Sequence, residues 1–320
     1  MHRIIAPIVV GLAAMALAGC SSTDATKGGA ASNDGEYKVA IAQYASFPPL
    51  DEAVAGFKAA LSEAGLEVSY DASNAQGDQT NVNSIASKYA AGDYDLVFAI
   101  ATPMAQSIAQ NVVDTPVLFT AVTDPVAAEL VESNEAPGYN VTGTTEIDLV
   151  KQVIPDAHKV GIIYSSGEVN SQVQVKLANA EAKKQGLEVV EKTITNTAEV
   201  QQAAQDLASK VDAIYVPTDN TVVSALASVV QAAEDAKIPL IAGEANSVAQ
   251  GALATYGIDY SKLGYQTGEM AIRILKEGAE PASLPVEAQK DYELTVNTTT
   301  LKALGLELPA SLKDRAVTIE

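Results

Sequence analysis

The chain of 320 residues has one cysteine, no tryptophan, and half as many basic as acidic residues. The shortages of cysteine and of basic residues each exclude a class of site or partner. With Cys20 alone, neither an intrachain disulfide nor a multi-cysteine metal centre can form. The 40 acidic and 20 basic residues leave a net charge of −20, which repels a phosphate backbone, so nucleic acid is not an expected partner. The hydrophobic fraction of 48% is still that of a globular protein, and the length suggests two domains.

The amino terminus has the pattern of an export signal. Arg3 precedes an apolar run at residues 4–18, which is too short for a comfortable transmembrane span. Leu17-Ala18-Gly19-Cys20 is similar to the lipobox of bacterial lipoproteins, in which the cysteine is lipidated; the alternative is a secreted protein with an unrelated cysteine. We expect residues 1–19 to be a signal peptide and residues 20–36 a lipidated cysteine with a flexible tether. The mature protein would then be extracytoplasmic and held to the cell membrane, at the cell surface or in the periplasm.

Beyond the tether, short apolar runs alternate with amphipathic segments of helical period. Residues 38–43 predict a strand, and residues 50–64 predict a helix that Gly65 ends. The same alternation continues along the chain. Strands separated by helices of this length pair in parallel with right-handed crossovers, so we predict an α/β fold with parallel sheets.

The alternation occurs twice. After a Gly/Thr-rich stretch at residues 138–148, Lys159–Tyr164 (KVGIIY) repeats the pattern of Lys38–Tyr44, and Gly186–Val189 (GLEV) repeats Gly65–Val68. A structural duplication explains these repeats and predicts two Rossmann-like lobes that face each other across a hinged cleft. In open α/β sheets, ligands bind beyond the carboxyl ends of the strands, so the function is expected in those loops.

Small polar residues in these loops are candidates for binding a charged ligand. Thr102 and Asp124 each precede a proline, which predicts an N-cap followed by Pro at the first helical position. A helix N-terminus suits a ligand carboxylate, and carboxylates such as Asp219 on the opposite lobe suit an ammonium group. The alternative is that each residue only caps its own helix, and the sequence leaves both open.

Several segments resemble one family and occur in its order. They are Asn74–Asp78, Thr120–Pro125, Asn140–Gly143, Tyr215–Asn220 and Gly257–Tyr260 with Leu263-Gly264. From about Tyr37 to Leu308 the chain resembles ABC-transporter substrate-binding lipoproteins, whose better-understood members bind tryptophan, tyrosine or phenylalanine. The resemblance implies a type I periplasmic-binding-protein fold, an amino acid bound between two lobes, and a membrane permease with its ATPase as partners. By similarity, the ligand's carboxylate and ammonium groups would contact Thr102, Thr123, Asp124, Asn170, Ser171, Asp219 and Asn220.

Aromatic residues near the loops indicate which kind of side chain the ligand has. Tyr44 and Phe47 flank the first loop and Tyr164 takes the matching place in the second half, so an aromatic or apolar side chain could stack between them. The alternative is that Tyr164 is a core residue and that Phe47 packs on Pro48. Glu244 lies in a loop that varies within the family, where it would add a second ammonium contact or exclude acidic ligands.

Enzymatic chemistry finds little support. His158 is the only histidine that remains after removal of the signal, and it lies just before a predicted strand, at the wrong edge of the sheet. The sequence has no triad order, nucleophile elbow, phosphate-binding loop or metal-ligand spacing. We therefore expect no enzymatic activity, no cofactor and no metal.

Ligand-driven closure of the lobes is the expected mechanism, because a ligand favours the closed state only through contacts with both lobes. We predict chain crossings at Gly143-Thr144, at Tyr256-Gly257 and near residues 281–285. These crossings assign residues 37–143 and 257–282 to the first lobe and residues 144–256 and 283–320 to the second.

The leading hypothesis is a monomeric receptor that delivers an aromatic or other apolar amino acid to an ABC importer. A lipoprotein of the same fold that senses its ligand without transport is the first alternative. An extracellular α/β enzyme is the least favoured, and the fold alone does not choose among the three.

Overall fold

A computed structural model describes residues 36–132, 144–289 and 292–320. The strands are β1 (Tyr37–Gln43), β2 (Val68–Asn74), β3 (Leu96–Ile100), β4 (Val117–Thr120), β5 (Lys159–Ser165), β6 (Glu188–Ile194), β7 (Ala213–Val216), β8 (Leu240–Ala242), β9 (Ala254–Gly257), β10 (Glu293–Asn297) and β11 (Ala316–Ile319). The helices are α1 (Pro48–Glu63), α2 (Gln79–Ala90), α3 (Thr102–Asn111), α4 (Thr144–Val153), α5 (Val169–Gln185), α6 (Val200–Ala208), α7 (Asn220–Val223), α8 (Leu226–Ala236), α9 (Ala245–Ala249), α10 (Tyr260–Leu275), α11 (Thr298–Ala303) and α12 (Ala310–Lys313).

The described strands form two sheets, one in each lobe. The first lobe has the order β2-β1-β3-β4, with every pair parallel, and the second has the order β11-β10-β9-β8-β7-β5-β6. In the second sheet only β9 and β10 pair antiparallel. The predicted α/β fold with two parallel sheets is thus confirmed, apart from this one antiparallel pair. The last strand of this sheet in chain order is β11, which pairs in parallel with β10.

Helices cover both faces of each sheet, which is why the central strands are apolar throughout. All five residues of β3 are buried, and Phe98 stacks on Phe57 of α1 with ring centroids 4.0 Å apart. In the second lobe the neighbouring residues Ile162 and Ile163 of β5 belong to different hydrophobic clusters. One cluster packs beneath α4 and α5 and the other beneath α6 and α8.

The repeated sequence segments make the same contacts in both lobes. Asp95 accepts a hydrogen bond from the backbone N–H of Lys38 at 2.8 Å, and Asp212 accepts one from Lys159 at 2.8 Å. Each aspartate therefore fixes the start of the first strand of its lobe. Gly65 and Gly186, with φ of 71° and 70°, follow α1 and α5, where a left-handed residue ends the helix.

The chain returns to the first lobe through α10. β9 belongs to the second sheet, and α10 packs along α1 in the hydrophobic core of the first lobe. Residues 281–289 then lead back to β10 of the second sheet.

Other predicted features lie outside the described residues. They are the signal peptide, Cys20 and most of its tether, the Asn140–Gly143 motif, and Gly143 of the first crossing. None of the helices within the described ranges combines the length and the apolar character that a bilayer span requires.

Candidate ligand-binding cleft

A cavity of about 320 Å³ extends from the carboxyl ends of both sheets along β4, α10 and residues 281–289. Of the predicted site residues, Thr123 and Asn220 line it and the others do not. Thr120 and Thr123 line it from the first lobe, and Thr218 and Asn220 line it from the second. Tyr260, the first residue of α10, adds an aromatic wall. The volume lies within the range typical of small-molecule sites, roughly 300 to 1,000 Å³, and the position is the one at which open α/β sheets bind ligands.

The backbone is strained where β3 and β4 end. Ala101 has φ 76° and ψ 150°, and Ala121 has φ 55°, conformations that are costly for residues other than glycine and that cluster at functional sites. Ala101 is the N-cap of α3, so the prediction that Thr102 caps this helix is wrong. Within the described residues, the buried hydroxyls of Thr102 and Thr120 have no hydrogen-bond partner. Of these two residues, Thr120 lines the cavity, so a polar group of a bound molecule could use its hydroxyl.

Thr123 and Asp124, although adjacent, have different roles. The Asp124 carboxylate accepts hydrogen bonds from the backbone N–H groups of Val126 at 3.0 Å and Ala127 at 2.9 Å, so it caps the turn that follows it. Thr123 instead reaches the second lobe, where its hydroxyl oxygen accepts a hydrogen bond from the Gln174 amide at 3.2 Å. Because that oxygen accepts, the hydroxyl hydrogen of Thr123 is free to donate elsewhere.

Asp219 organises the facing edge of the second lobe. Its carboxylate is fully buried and accepts hydrogen bonds from the Ser165 N–H at 2.6 Å, the Ser171 hydroxyl at 2.6 Å and the Val222 N–H at 2.8 Å. Asp219 thereby joins the end of β5 to the starts of α5 and α7. Burial, with the nearby charge of Glu168, raises the pKa of Asp219 well above its usual range.

Glu168 is a site residue that the sequence analysis missed. It is 2% exposed, and its carboxylate accepts five hydrogen bonds. These come from the Asn170 amide, from the backbone and amide of Asn220, and from the backbone and hydroxyl of Thr221. A glutamate in a polar loop has no sequence signal that separates it from a solvent-exposed one, because four of its five hydrogen bonds come from residues 52 and 53 positions away along the chain.

The two buried carboxylates form no ion pair with a basic side chain in the described part of the chain. Burying a charge is costly unless an opposite charge or several hydrogen bonds compensate it. Hydrogen bonds stabilise Glu168 and Asp219, but no basic side chain in this part of the chain is paired with either of them. This side of the cleft therefore favours a cationic group.

The predicted aromatic residues lie in different places. Tyr44 is buried, and burial together with the charges of Glu168 and Asp219 raises its pKa to about 12, so its ring lies near both carboxylates. Phe47 packs against the hydrophobic clusters of both lobes. Tyr164 does not lie with Tyr44 and Phe47. Its hydroxyl donates to Glu191 on β6 at 2.7 Å, on the face of the sheet that α5 covers. Its position on β5 points it to this face, so a stacking role is not supported.

Glu244 lies next to the second crossing, where its backbone pairs with Ile258, which lines the cavity. It is 1% exposed, Ser247 donates to one carboxylate oxygen, and the other has no partner among the described residues. Burial raises the pKa of Glu244 to about 7. The charge of Glu52 adds to this shift, and Tyr260 lies within electrostatic range.

Gln174, also missed from sequence, joins the lobes. Its amide oxygen accepts from the Thr218 N–H at 3.0 Å, which fixes the amide so that its nitrogen donates to Thr123 at 3.2 Å and to the Thr218 hydroxyl at 2.5 Å. A second bond between the lobes runs from the Asn246 amide to Glu52 of α1 at 2.8 Å. The lobes therefore contact each other directly through side chains.

Comparisons with known proteins agree with this architecture. The profile of the family described as ABC transporter substrate binding protein matches residues 38–319. A tyrosine-binding protein from Clostridioides difficile is 43% identical over 324 residues, covering 95% of this chain and 93% of the relative. A solved structure from Streptococcus pneumoniae, an ABC domain in complex with L-Trp, has a TM-score of 0.84 at 34% identity and covers 89% of this chain and 100% of its own.

A second solved structure differs more despite its closer sequence. It is the ligand-free, open form of a substrate-binding protein with adhesive properties from Clostridium difficile, with a TM-score of 0.66 at 43% identity, covering 89% of this chain and 99% of its own. The present structure is thus more similar to the L-Trp complex than to this open form. These relatives are substrate-binding proteins and not enzymes, which confirms the prediction of a non-enzymatic receptor. The chain belongs to the ABC transporter substrate-binding protein family.

Proposed function

We propose that this protein binds one aromatic amino acid between its lobes and delivers it to an ABC importer. One observation carries the proposal: within the residues that the structure describes, Glu168 and Asp219 are buried without a cationic partner, while unpartnered hydroxyls lie on the edge of the other lobe. A zwitterion complements both sides at once. The tyrosine-binding relative and the L-Trp complex support an aromatic side chain.

Each end of the amino acid has candidate partners. The hydroxyls of Thr102, Thr120 and Thr123 would donate to its carboxylate, and the amide oxygens of Asn170 and Asn220 would accept from its ammonium group. Its ring would lie near Tyr44 and Phe47. Asp219 and Ser171 would contribute by holding the second lobe's loops in place and by supplying negative charge.

Contacts with both lobes would hold the protein closed, because a ligand shifts a conformational equilibrium only by its difference in affinity for the two states. We take the moving bodies to be residues 37–143 with 257–282, and residues 144–256 with 283–320. The packing of α10 on α1 and the pairing of β10 with β9 support this division. The closed form would dock on the permease, with the ATPase on the far side of the membrane.

Export and lipid anchoring remain part of the proposal and rest on the sequence Leu17-Ala18-Gly19-Cys20. A lipid-anchored receptor would stay close to its permease. Globomycin, which blocks lipoprotein signal cleavage, should make the precursor accumulate, and mass spectrometry should find diacylglycerol on Cys20. An unmodified Cys20 in the exported protein would overturn the anchor.

The ligand can be identified with protein that lacks residues 1–20, because Asn33–Glu320 form one compact unit. Mass spectrometry of the co-purifying small molecule and a thermal-shift panel of the twenty amino acids would test the proposal. A bound ligand raises stability by RT ln(1 + [L]/Kd), so a rise confined to one or a few aromatic amino acids is expected. Because the chain has no tryptophan, indole fluorescence would report L-Trp directly. The absence of a shift with any aromatic amino acid would contradict the proposal.

A further inference from the structure

We propose that Glu168 determines the selectivity of the cleft for an ammonium group, and that it acts as a positioning residue through Asn170 and Asn220. The inference rests on the proposed function and deepens it. It assigns the selectivity to a side chain that need not touch the ligand.

The hydrogen bonds of Glu168 fix the orientation of both amides. Its Oε2 atom accepts from Asn170 Nδ2 at 3.0 Å and from Asn220 Nδ2 at 2.6 Å. A carboxylate can only accept hydrogen bonds, so each amide must turn its nitrogen toward Glu168 and its oxygen away. The Asn170 nitrogen also donates to the backbone carbonyl of Thr218 at 3.0 Å, and a flipped Asn170 would place oxygen against oxygen at both contacts.

The amide oxygens are thereby presented as acceptors. Asn170 is 3% exposed, its Oδ1 has no partner among the described residues, and Asn220 lines the cavity next to Thr218. An ammonium group has three donors and no acceptor, so it matches a pair of oxygens held in this way. A ligand without the amine would leave Asn170 Oδ1 buried and unsatisfied, which is the situation that gives strong discrimination.

A purely structural role for Glu168 makes a different prediction. Its Oε1 accepts from the N–H and the hydroxyl of Thr221 at 3.0 Å and 2.8 Å, which stabilises the start of α7. If that were its whole purpose, replacement would weaken the fold and the affinity for all ligands alike. The ratio of affinities for a ligand with and without its amine separates the two roles.

The experiment is calorimetric titration with matched ligand pairs, namely L-Trp with indole-3-propionate and L-Tyr with 3-(4-hydroxyphenyl)propionate. The wild-type protein should prefer the amino acid by about 100-fold or more. In Glu168→Gln one carboxylate oxygen becomes an NH₂ group, so the side chain can no longer accept at both ends. Even with its remaining oxygen toward Asn170 and Asn220, a neutral amide holds their N–H groups less strongly than a carboxylate does, which weakens the orientation of both amides. We expect the ratio to fall by about 10-fold or more in this variant.

A matched control lies on α5. Glu181 is 9% exposed and is bonded to Lys184 at 2.7 Å and to Gln185 at 3.0 Å, so Glu181→Gln removes a similarly placed charge far from the cleft. It should keep the wild-type ratio. Glu168→Asp separates the effect of the negative charge from that of the hydrogen bonds to the amides. It keeps the charge, but its side chain is one methylene too short to hold both amides. We expect the ratio to fall here as well.

The outcomes separate this inference from the proposed function. If the wild-type protein binds no amino acid, both fail. If the wild type discriminates but Glu168→Gln keeps the ratio of affinities, the positioning role is overturned while the function stands. The same holds if Glu168→Gln lowers this ratio and Glu168→Asp does not. Should the Glu168 variants fail to fold, Asn170→Leu removes the oriented oxygen at nearly constant volume, and an unchanged ratio in that variant equally overturns the inference.

Discussion

At the scale of single residues, the candidate cleft contains buried polar side chains that also hold the fold together. Asp219 is the clearest case, since three donors from three segments converge on its carboxylate. We expect Asp219→Ala to lower the free energy of unfolding by about 3 kcal/mol even without ligand, because the donors would stay buried without a partner. Urea unfolding followed by circular dichroism measures this change.

The control for this prediction is Asp206→Ala. Asp206 forms a half-exposed ion pair with Lys192 at 3.1 Å, and pairs of this kind contribute about 1 kcal/mol or less. Equal unfolding midpoints for the two variants would show that Asp219 does not support the second lobe.

Glu244 makes the stability of the unliganded protein depend on pH. Its pKa is raised to about 7 in the folded protein, whereas in an unfolded chain a glutamate titrates near 4.3, so the folded state binds the proton more tightly. The resulting stabilisation is complete below the unfolded pKa and is lost as the pH rises through 7. We expect the melting temperature to fall between pH 5 and pH 8, with up to about 3 kcal/mol from this group.

Thermal unfolding of Glu244→Gln across the same pH range tests the assignment. The variant cannot ionise and should lose much of the pH dependence, although the raised pKa of Asp219 acts in the same direction and leaves a remainder. A variant with the full wild-type slope would show that Glu244 does not hold its proton in the folded state.

At the scale of secondary structure elements, the contact between α1 and α10 holds the returning helix in the first lobe. The two backbones approach closely at glycines: a Cβ atom at Gly264 would lie 2.0 Å from the carbonyl oxygen of Ala53, and one at Gly56 would lie 2.1 Å from that of Ser261. We expect Gly264→Ala to destabilise the protein by about 3 kcal/mol, because the helices must separate along their length. Differential scanning calorimetry measures the loss.

Gly278, just after α10, provides a comparison. It has φ +70°, and a Cβ atom added there would meet no other atom within 4 Å among the described residues. Gly278→Ala therefore adds conformational strain of about 1 to 2 kcal/mol and no clash. If Gly264→Ala were no worse than Gly278→Ala, the close helix contact would not be needed.

At the scale of the whole molecule, the amide of Gln174 in the second lobe donates a hydrogen bond to Thr123 in the first, a contact that the proposed closure would form. We expect Gln174→Met to weaken ligand binding by about 10-fold, because the closed state loses a buried hydrogen bond between the lobes. Small-angle scattering should show a larger radius of gyration for this variant at a ligand concentration that closes the wild type.

Gln172→Met is the matched control on the same helix, because Gln172 donates to the Ser166 carbonyl within its own lobe at 2.9 Å. It should bind and close like the wild type. The effects of Gln174→Met and Thr123→Val should also be less than additive, since each removes the same bond. Full additivity would contradict a direct contact between the lobes.

Local patterns in the sequence were sufficient to predict the alternation of strands and helices, the helix end at Gly65, and the duplication that repeats this segment at Gly186. These features depend on residues close together in the chain, on backbone preferences and on the period of apolar positions. The family resemblance likewise came from short contiguous motifs.

Only the tertiary structure decided which polar groups meet and which remain unpartnered. Glu168 and Gln174 gain their roles from partners about 50 residues away, and Thr102 is freed from capping by the conformation of Ala101. Tyr164 was misplaced because its face of the sheet depends on which helices cover β5. Burial and long-range contact set these roles, and neither is encoded in the local period of the chain.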